Sequence, residues 1–217
     1  MGAIPLPPTK TVAEHTLTQA DFLRDHLRPA LAEATAGTRT VLFVDAAHFV
    51  QGSFLCRLWC LVRLFVRGAS GRRRYNVLGA WDAVTRRLIR VCNDTRVSSD
   101  TMVELLGRIA ARVSGAVTLV LDNARYQRCA AVMAEATRLE ITLLFLPSYS
   151  PNLNLIERLW KFAKKKALRG KHYPDFASFR AAIDDCLDRI GTDHREALAT
   201  LMTLKFQTFD KTSFLAA

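Results

Sequence analysis

Apolar and polar residues switch between two periods along this chain, and the switches mark its elements. Phe22, Leu23, Leu27 and Leu31 recur near helical spacing, so a helix is expected from a cap at Thr18 to about Ala36. Pro29 should kink or split it, and Gly37 should end it. Residues 40–50 (TVLFVDAAHFV) then read as a strand whose alternation puts Val41, Phe43, Asp45 and Ala47 on one face. Residues 51–74 mix aromatics with arginines and close on a basic loop at 68–74. Residues 75–81 and 87–92 read as a strand pair joined across 82–86. From about Ser99 a helix follows, with Met102, Leu105, Leu106, Ile109 and Val113 on one side. Residues 117–123 (VTLVLDN) form a second apolar strand, and the next helix places Cys129, Val132, Met133 and Ala136 on one stripe. A third strand, 141–146, stops at Pro147, turns through 148–152 and restarts as a helix. Phe176, Phe179, Ile183 and Ile190 mark a last helix, stopped by Gly191; the tail from Thr192 has no clear pattern. Strands alternating with helices predict an α/β fold, a mixed sheet with helices packed against it.

Composition narrows the class. Half of the 217 residues are hydrophobic, enough for a real core. Lys and Arg outnumber Asp and Glu by 31 to 20, and a surface of net charge +11 attracts polyanions such as nucleic acid. Five cysteines are scattered without a C-x-x-C pair, which excludes a zinc ribbon and a disulfide framework and fits reduced thiols in a cytosolic protein. No apolar run reaches the ~18–20 residues of a membrane helix, because Arg57, Arg63 and Arg67 interrupt the most apolar stretch. No signal peptide is evident, and the expected setting is soluble and intracellular. A G-x-x-x-x-G-K loop and a G-x-S-x-G elbow are both absent, so nucleotide-driven chemistry and serine hydrolysis are not indicated.

Three acids stand out. Asp45 lies inside one apolar strand, Asp122 at the carboxyl end of another, and Glu157 near the start of the helix after Pro147. A carboxylate in an apolar strand must be paired, protonated or metal-bound, because burying it alone is costly. Carboxylates converging from different elements suit a pair of hard divalent ions, which can drive an in-line phosphoryl displacement. Each acid also has a plainer explanation. Asp45 could be satisfied by an arginine. Glu157 could close a capping box with Asn154. On the helix, Ile156, Leu159, Trp160 and Ala163 form the apolar stripe, while Glu157 shares a side with Lys161 and Lys164. That arrangement suits an acid that binds metal beside cations that bind phosphate, and equally a solvated Glu–Lys pair. Lys161, Lys164, Lys165, Lys166, Arg169 and Lys171 form the densest basic run, and Arg72, Arg73 and Arg74 a second; both are expected to contact nucleic acid. Alternation places His48 on the opposite face from Asp45, in a core or hydrogen-bonding role.

The segments LFVDAAHF, LVLDNARYQ and LFLPSYSPNLNLIERLWKFAK resemble, in order, the three motif blocks of DDE transposases of the mariner type, in the bacterial insertion-sequence branch. The 34 residues between Asp122 and Glu157 agree with that family's spacing, and the P-x-Y-S-P-x-L-N-x-I-E core is highly specific. The resemblance covers about residues 38–190. It implies a ribonuclease H-like catalytic domain there, preceded by a lead and helix at 1–37 and followed by a tail at 191–217. It also implies that Asp45, Asp122 and Glu157 bind two Mg²⁺ or Mn²⁺ ions. The reaction implied is cleavage at element ends followed by 3′-hydroxyl attack on target DNA, by a homodimer acting at the bacterial nucleoid. Family members often have an acid where this chain has Ala46, and a histidine where it has Gln127. They also carry a helix-turn-helix domain before the first Asp, where only 44 residues stand here. The expectation is therefore either a separately translated catalytic half, with a separately encoded helix-turn-helix chain as partner, or a truncated relic. The alternatives are an inactive or regulatory DNA-binding derivative and a generic ribonuclease H-like nuclease.

Overall fold

The computed structural model describes residues 19–52, 73–148 and 150–207. Most of the expected basic loop at 68–74, with Arg72, lies outside those residues, as do Cys56 and Cys60. Five strands form one mixed sheet: β1 (Arg39–Val50), β2 (Arg74–Asp82), β3 (Leu88–Asn93), β4 (Ala116–Leu121) and β5 (Ile141–Phe145), in the order β3-β2-β1-β4-β5. β2 and β3 form the antiparallel pair that the two apolar runs around 82–86 predict. β1 pairs antiparallel with β2 and parallel with β4, and β4 runs parallel with β5.

β1 is central because both of its faces are apolar. Val41, Phe43, Ala47 and Phe49 join one core cluster, and Leu42 and Val44 join the other. On the second face lie α2 (Ser99–Ala110) and α3 (Ala130–Arg138), which bury Met102, Leu105, Leu106, Ile109, Val132 and Ala136. α2 starts at a reciprocal cap between Ser98 and Thr101. Met133, expected on the buried stripe of α3, is instead 44% exposed; α3 is short, and Val132 and Ala136 alone cover the sheet.

The first face carries α1 (Arg28–Thr35), α4 (Ile156–Ala167), α5 (Phe176–Asp188) and α6 (Arg195–Leu201). A wide π turn at Leu23–Leu27 precedes Pro29, so the expected break near that proline takes the form of a change in helical pitch. Gly37 ends the segment in the left-handed conformation, with φ of 78°. The patternless tail contains α6, and beyond it Arg158 holds three backbone carbonyls, those of Leu201, Thr203 and Lys205, at 3.3, 2.9 and 2.7 Å. No helix among the described residues is long and apolar enough to cross a membrane.

Candidate active site

The parallel register sets the first two acids side by side. The β1–β4 ladder runs from Arg39 opposite Ala116 to Phe43 opposite Val120. Carried two residues further, the same offset puts Asp45 and Asp122 at corresponding positions just past the last paired residues. At that point the strands part: β1 continues along β2, and β4 ends at Leu121. A cleft opens between the parting strands.

The third acid reaches the cleft through a pinned turn. Leu146 N–H donates to the Leu121 carbonyl at 2.8 Å, and the Asn123 side chain donates to the Leu146 carbonyl at 2.6 Å. After Pro147 a 3-10 turn, Pro151–Leu153, leads into α4, and Leu153, Leu155 and Ile156 are fully buried. Asp45, Asp122 and Glu157 thus line one cavity of about 370 Å³, together with Asn123, Asn154 and the turn after β5.

Among the described residues, the plainer explanations of Asp45 and Glu157 find no support in the geometry. Asn154 does not cap α4: the helix begins at Ile156 with no side-chain cap, and Asn154 Nδ2 donates instead to the Val44 carbonyl at 3.2 Å. Among the described residues no lysine or arginine forms an ion pair with Asp45, Asp122 or Glu157. Burial pushes the Asp45 carboxyl up to about 7, and the negative charges of Glu157 and Asp122 add to this; the Ala46 N–H and the Trp160 indole act against it. Asp122 accepts from Ala124 N–H at 3.1 Å.

Four residues to which the sequence patterns gave no part in the site shape it. Asn154 ties the turn before Glu157 to the residue before Asp45. A carbonyl can only accept, so the amide nitrogen must face Val44, and Oδ1 is left buried without a partner. Trp160 has a buried indole N–H with no hydrogen bond, yet it lies close enough to Asp45 to lower that carboxyl's affinity for its proton. Its ring lies over Gly79, which pairs with Asp45 across the β1–β2 ladder; a Cβ at Gly79 would stand 2.7 Å from Trp160 Cη2. Tyr126 feels both Asp122 and Asp45, which with burial raise its phenol, and its oxygen accepts from the buried Gln127 at 3.3 Å. A glycine inside a strand is a weak signal of close approach; nothing in the pattern assigned the other three to the site.

These features fit hard divalent cations. The donor set is three carboxyls, one strongly disfavouring charge without a cation, beside an orphaned amide oxygen. Among the described residues no three acidic, histidine or cysteine side chains stand close enough to hold a single ion as they are placed; the acids surround a cavity rather than a closed cage. Of the expected DNA-binding residues, Lys161, Lys164 and Lys165 are exposed on α4, and Arg73 and Arg74 are exposed at the start of β2, where the Arg73 guanidinium lies 4.1 Å from the Phe176 ring.

A family model described as DDE superfamily endonuclease matches residues 63–180, a span that holds Asp122 and Glu157 and begins after Asp45. No curated protein matches the chain by sequence. Solved structures match in fold. The Mos1 mariner paired end complex with Mn is 12% identical, with a TM-score of 0.64 over 95% of this chain and 68% of that one. A pre-cleavage Mos1 transpososome is 11% identical, with a TM-score of 0.60 over 95% and 68%. The catalytic domain of Mos1 mariner transposase is 11% identical, with a TM-score of 0.56 over 94% of this chain and all of that one. The mixed five-stranded sheet flanked by helices is the ribonuclease H-like fold of that catalytic domain.

Proposed function

The chain belongs to the DDE superfamily endonucleases, and from that premise we propose that it is the catalytic part of a DNA transposase. Residues 38–190 form its catalytic domain, and it cuts element ends and joins them to target DNA. The observation that carries this reading is the shared cavity, with Asp45 and Asp122 level on parting strands and Glu157 brought over them by α4.

Asp45, Asp122 and Glu157 are the residues that would hold two Mg²⁺ or Mn²⁺ ions. When bound, such a pair activates a water or 3′-hydroxyl and neutralises charge on the leaving oxygen. The chain's own contribution is placement and proton control. Burial first, and then the charges of Glu157 and Asp122, favour the protonated form of Asp45, and the charge of a bound cation would oppose all three. Asn154 fixes the distance between β1 and the start of α4. Exposed Lys161, Lys164 and Lys165, with Arg73, Arg74 and Arg72, bind backbone phosphates on either side of the reacting one. Solved Mos1 assemblies include a paired-end complex with the left transposon end and complexes with Mg and Mn. These support DNA as substrate and a divalent cofactor here. By the same reading the protein acts as a homodimer on bacterial nucleoid DNA, with end recognition supplied by a helix-turn-helix segment.

Purified protein with Mn²⁺ should nick DNA that carries the flanking inverted repeats, and Asp122→Asn should abolish nicking. Cleavage that survives this change rules out the assignment. Salt-sensitive DNA binding with no Mn²⁺ uptake by calorimetry would instead identify a regulatory derivative, and preferential cleavage of RNA–DNA hybrids a generic nuclease.

A further inference from the structure

The sequence presents a basic run on α4 and an unexplained histidine, and the fold brings the two together at the end of β1, near where the second basic run enters β2. β1 pairs Val50 with Arg74, and Gln51 N–H donates to the Arg73 carbonyl at 2.9 Å, so the arginines start β2 beside the end of β1. At that end a cavity of about 510 Å³ is lined by His48, Phe49, Val50, Lys164, Lys165 and Arg169. Its floor is apolar, and the Lys164 ammonium stands 6.0 Å from the Phe49 ring. Among the described residues, no ion pair engages Lys164, Lys165 or Arg169, and no acid lines the cavity. The carboxyl end of α4 sets only about half a negative charge against three cations.

A relay of amides fixes how His48 is protonated. Asn93 Nδ2 donates to the Arg96 carbonyl, which can only accept. Asn93 Oδ1 therefore accepts from Asn76 Nδ2 at 2.9 Å, and Asn76 Oδ1 accepts from His48 Nδ1 at 2.7 Å. The proton is thus held on Nδ1, which orients the ring and leaves Nε2 of the neutral ring an acceptor, on an exposed residue that lines the cavity. A solvated helix face accounts for the lysines alone. It does not account for an acid-free concavity with an aromatic floor, lined by three cations and an oriented imidazole.

We propose that this cavity is a phosphate subsite for the DNA backbone. Its register, though not its chemistry, rests on the acid cavity being where the strand reacts. Lys164 and Lys165 follow Glu157 by seven and eight residues on α4, about 10–12 Å along the helix axis. On one DNA strand that span is roughly three to four nucleotides. The subsite takes the phosphate that far from the reacting one, with Arg169 and Lys165 supplying charge and the His48 ring forming part of the wall.

The test is fluorescence anisotropy of the full chain in EDTA with a short duplex ending in a 3′-hydroxyl. Arg169→Ala and Lys165→Ala should each reduce the slope of log affinity against log salt by about 0.9. Arg112→Ala removes the same charge at the opposite end of the sheet and should leave the slope unchanged. In Ca²⁺, a single neutral methylphosphonate roughly three to four nucleotides from the 3′ end should weaken wild-type binding and have little further effect on Arg169→Ala. Slopes for Arg169→Ala and Lys165→Ala equal to that of Arg112→Ala overturn the proposal. So does a methylphosphonate penalty that is the same in wild type and Arg169→Ala. Asp122→Asn should keep the wild-type slope whatever its cleavage activity, so failure of the acid reading and failure of the subsite are read separately.

Discussion

Asp82 and Asp45 are both aspartates drawn out of solvent, on neighbouring strands of one sheet, and their surroundings differ in kind. Asp82 ends β2, and its Oδ1 accepts from Val84 N–H and Thr85 N–H, each at 2.8 Å, so its charge is spent on holding the turn into β3. Asp45 has the Ala46 N–H and the Trp160 indole nearby, two like-charged neighbours and, among the described residues, no ion pair. Burial alone therefore says little about an acid's purpose. What separates these two carboxylates is whether the fold spends the charge on hydrogen bonds that hold a turn or sets like charges beside it.

The largest expected break in that comparison is in activity. Asp45→Asn should lower Mn²⁺-dependent nicking by ~10³ or more, since a metal ligand is worth several kcal/mol. Asp82→Asn should leave nicking per folded molecule unchanged and lower stability by ~1 kcal/mol. Equal activity losses in the two variants would erase the distinction. Next is Asn154→Ala, which frees α4 from β1. Calorimetry should show Mn²⁺ affinity reduced about 10–100-fold, the range for groups that support ligands; unchanged affinity would make Asn154 a packing residue only. Gly79→Ala drives a methyl into the Trp160 ring and should cost about 1–3 kcal/mol in denaturant melts, with nicking reduced as the ring shifts beside Asp45.

The smallest effect concerns pH without metal. The folded-state value of Asp45 is raised to about 7, above the ~3.9 of an unfolded chain. The native state thus holds a proton that the unfolded state releases. Its cost to folding is absent below about pH 4 and grows until about pH 7. In EDTA the wild type should lose on the order of 1–2 kcal/mol across that window after solvent screening, and Asp45→Asn should not. A melting temperature with the same pH dependence in both proteins would contradict the unneutralised charge.

Much of this architecture was legible because β1, β4 and β5 are short apolar runs bounded by turn residues, and α2, α4 and α5 keep helical spacing on their buried stripes. The acids stood out for the same reason, as charges where the pattern wants none. The rest depends on tertiary partners. Asn154 read locally as a cap, and its actual acceptor, Val44, is 110 residues away. Trp160 fitted the apolar stripe, and only the β1–β2 register shows that it lies over Gly79 beside Asp45. Met133 followed the helical period, but α3 is too short to bury it. In the tail, α6 is only seven residues long and buries Leu198 alone, and the segment after it is held by the Arg158 guanidinium, a partner that no local pattern records.

That guanidinium has a mechanical consequence. Arg158 is bonded to Glu157 through the backbone and to the stretch between Leu201 and Lys205 through three hydrogen bonds, so that stretch is moored one residue from the third acid. Just past it the Phe206 ring lies 6.0 Å from that of Phe43 in β1, and the Gln207 carbonyl accepts from Asn152 Nδ2 at 2.8 Å. Tension applied beyond Gln207 is therefore shared at once by the sheet, the turn before α4 and the first turn of that helix, the three elements around the acid cavity.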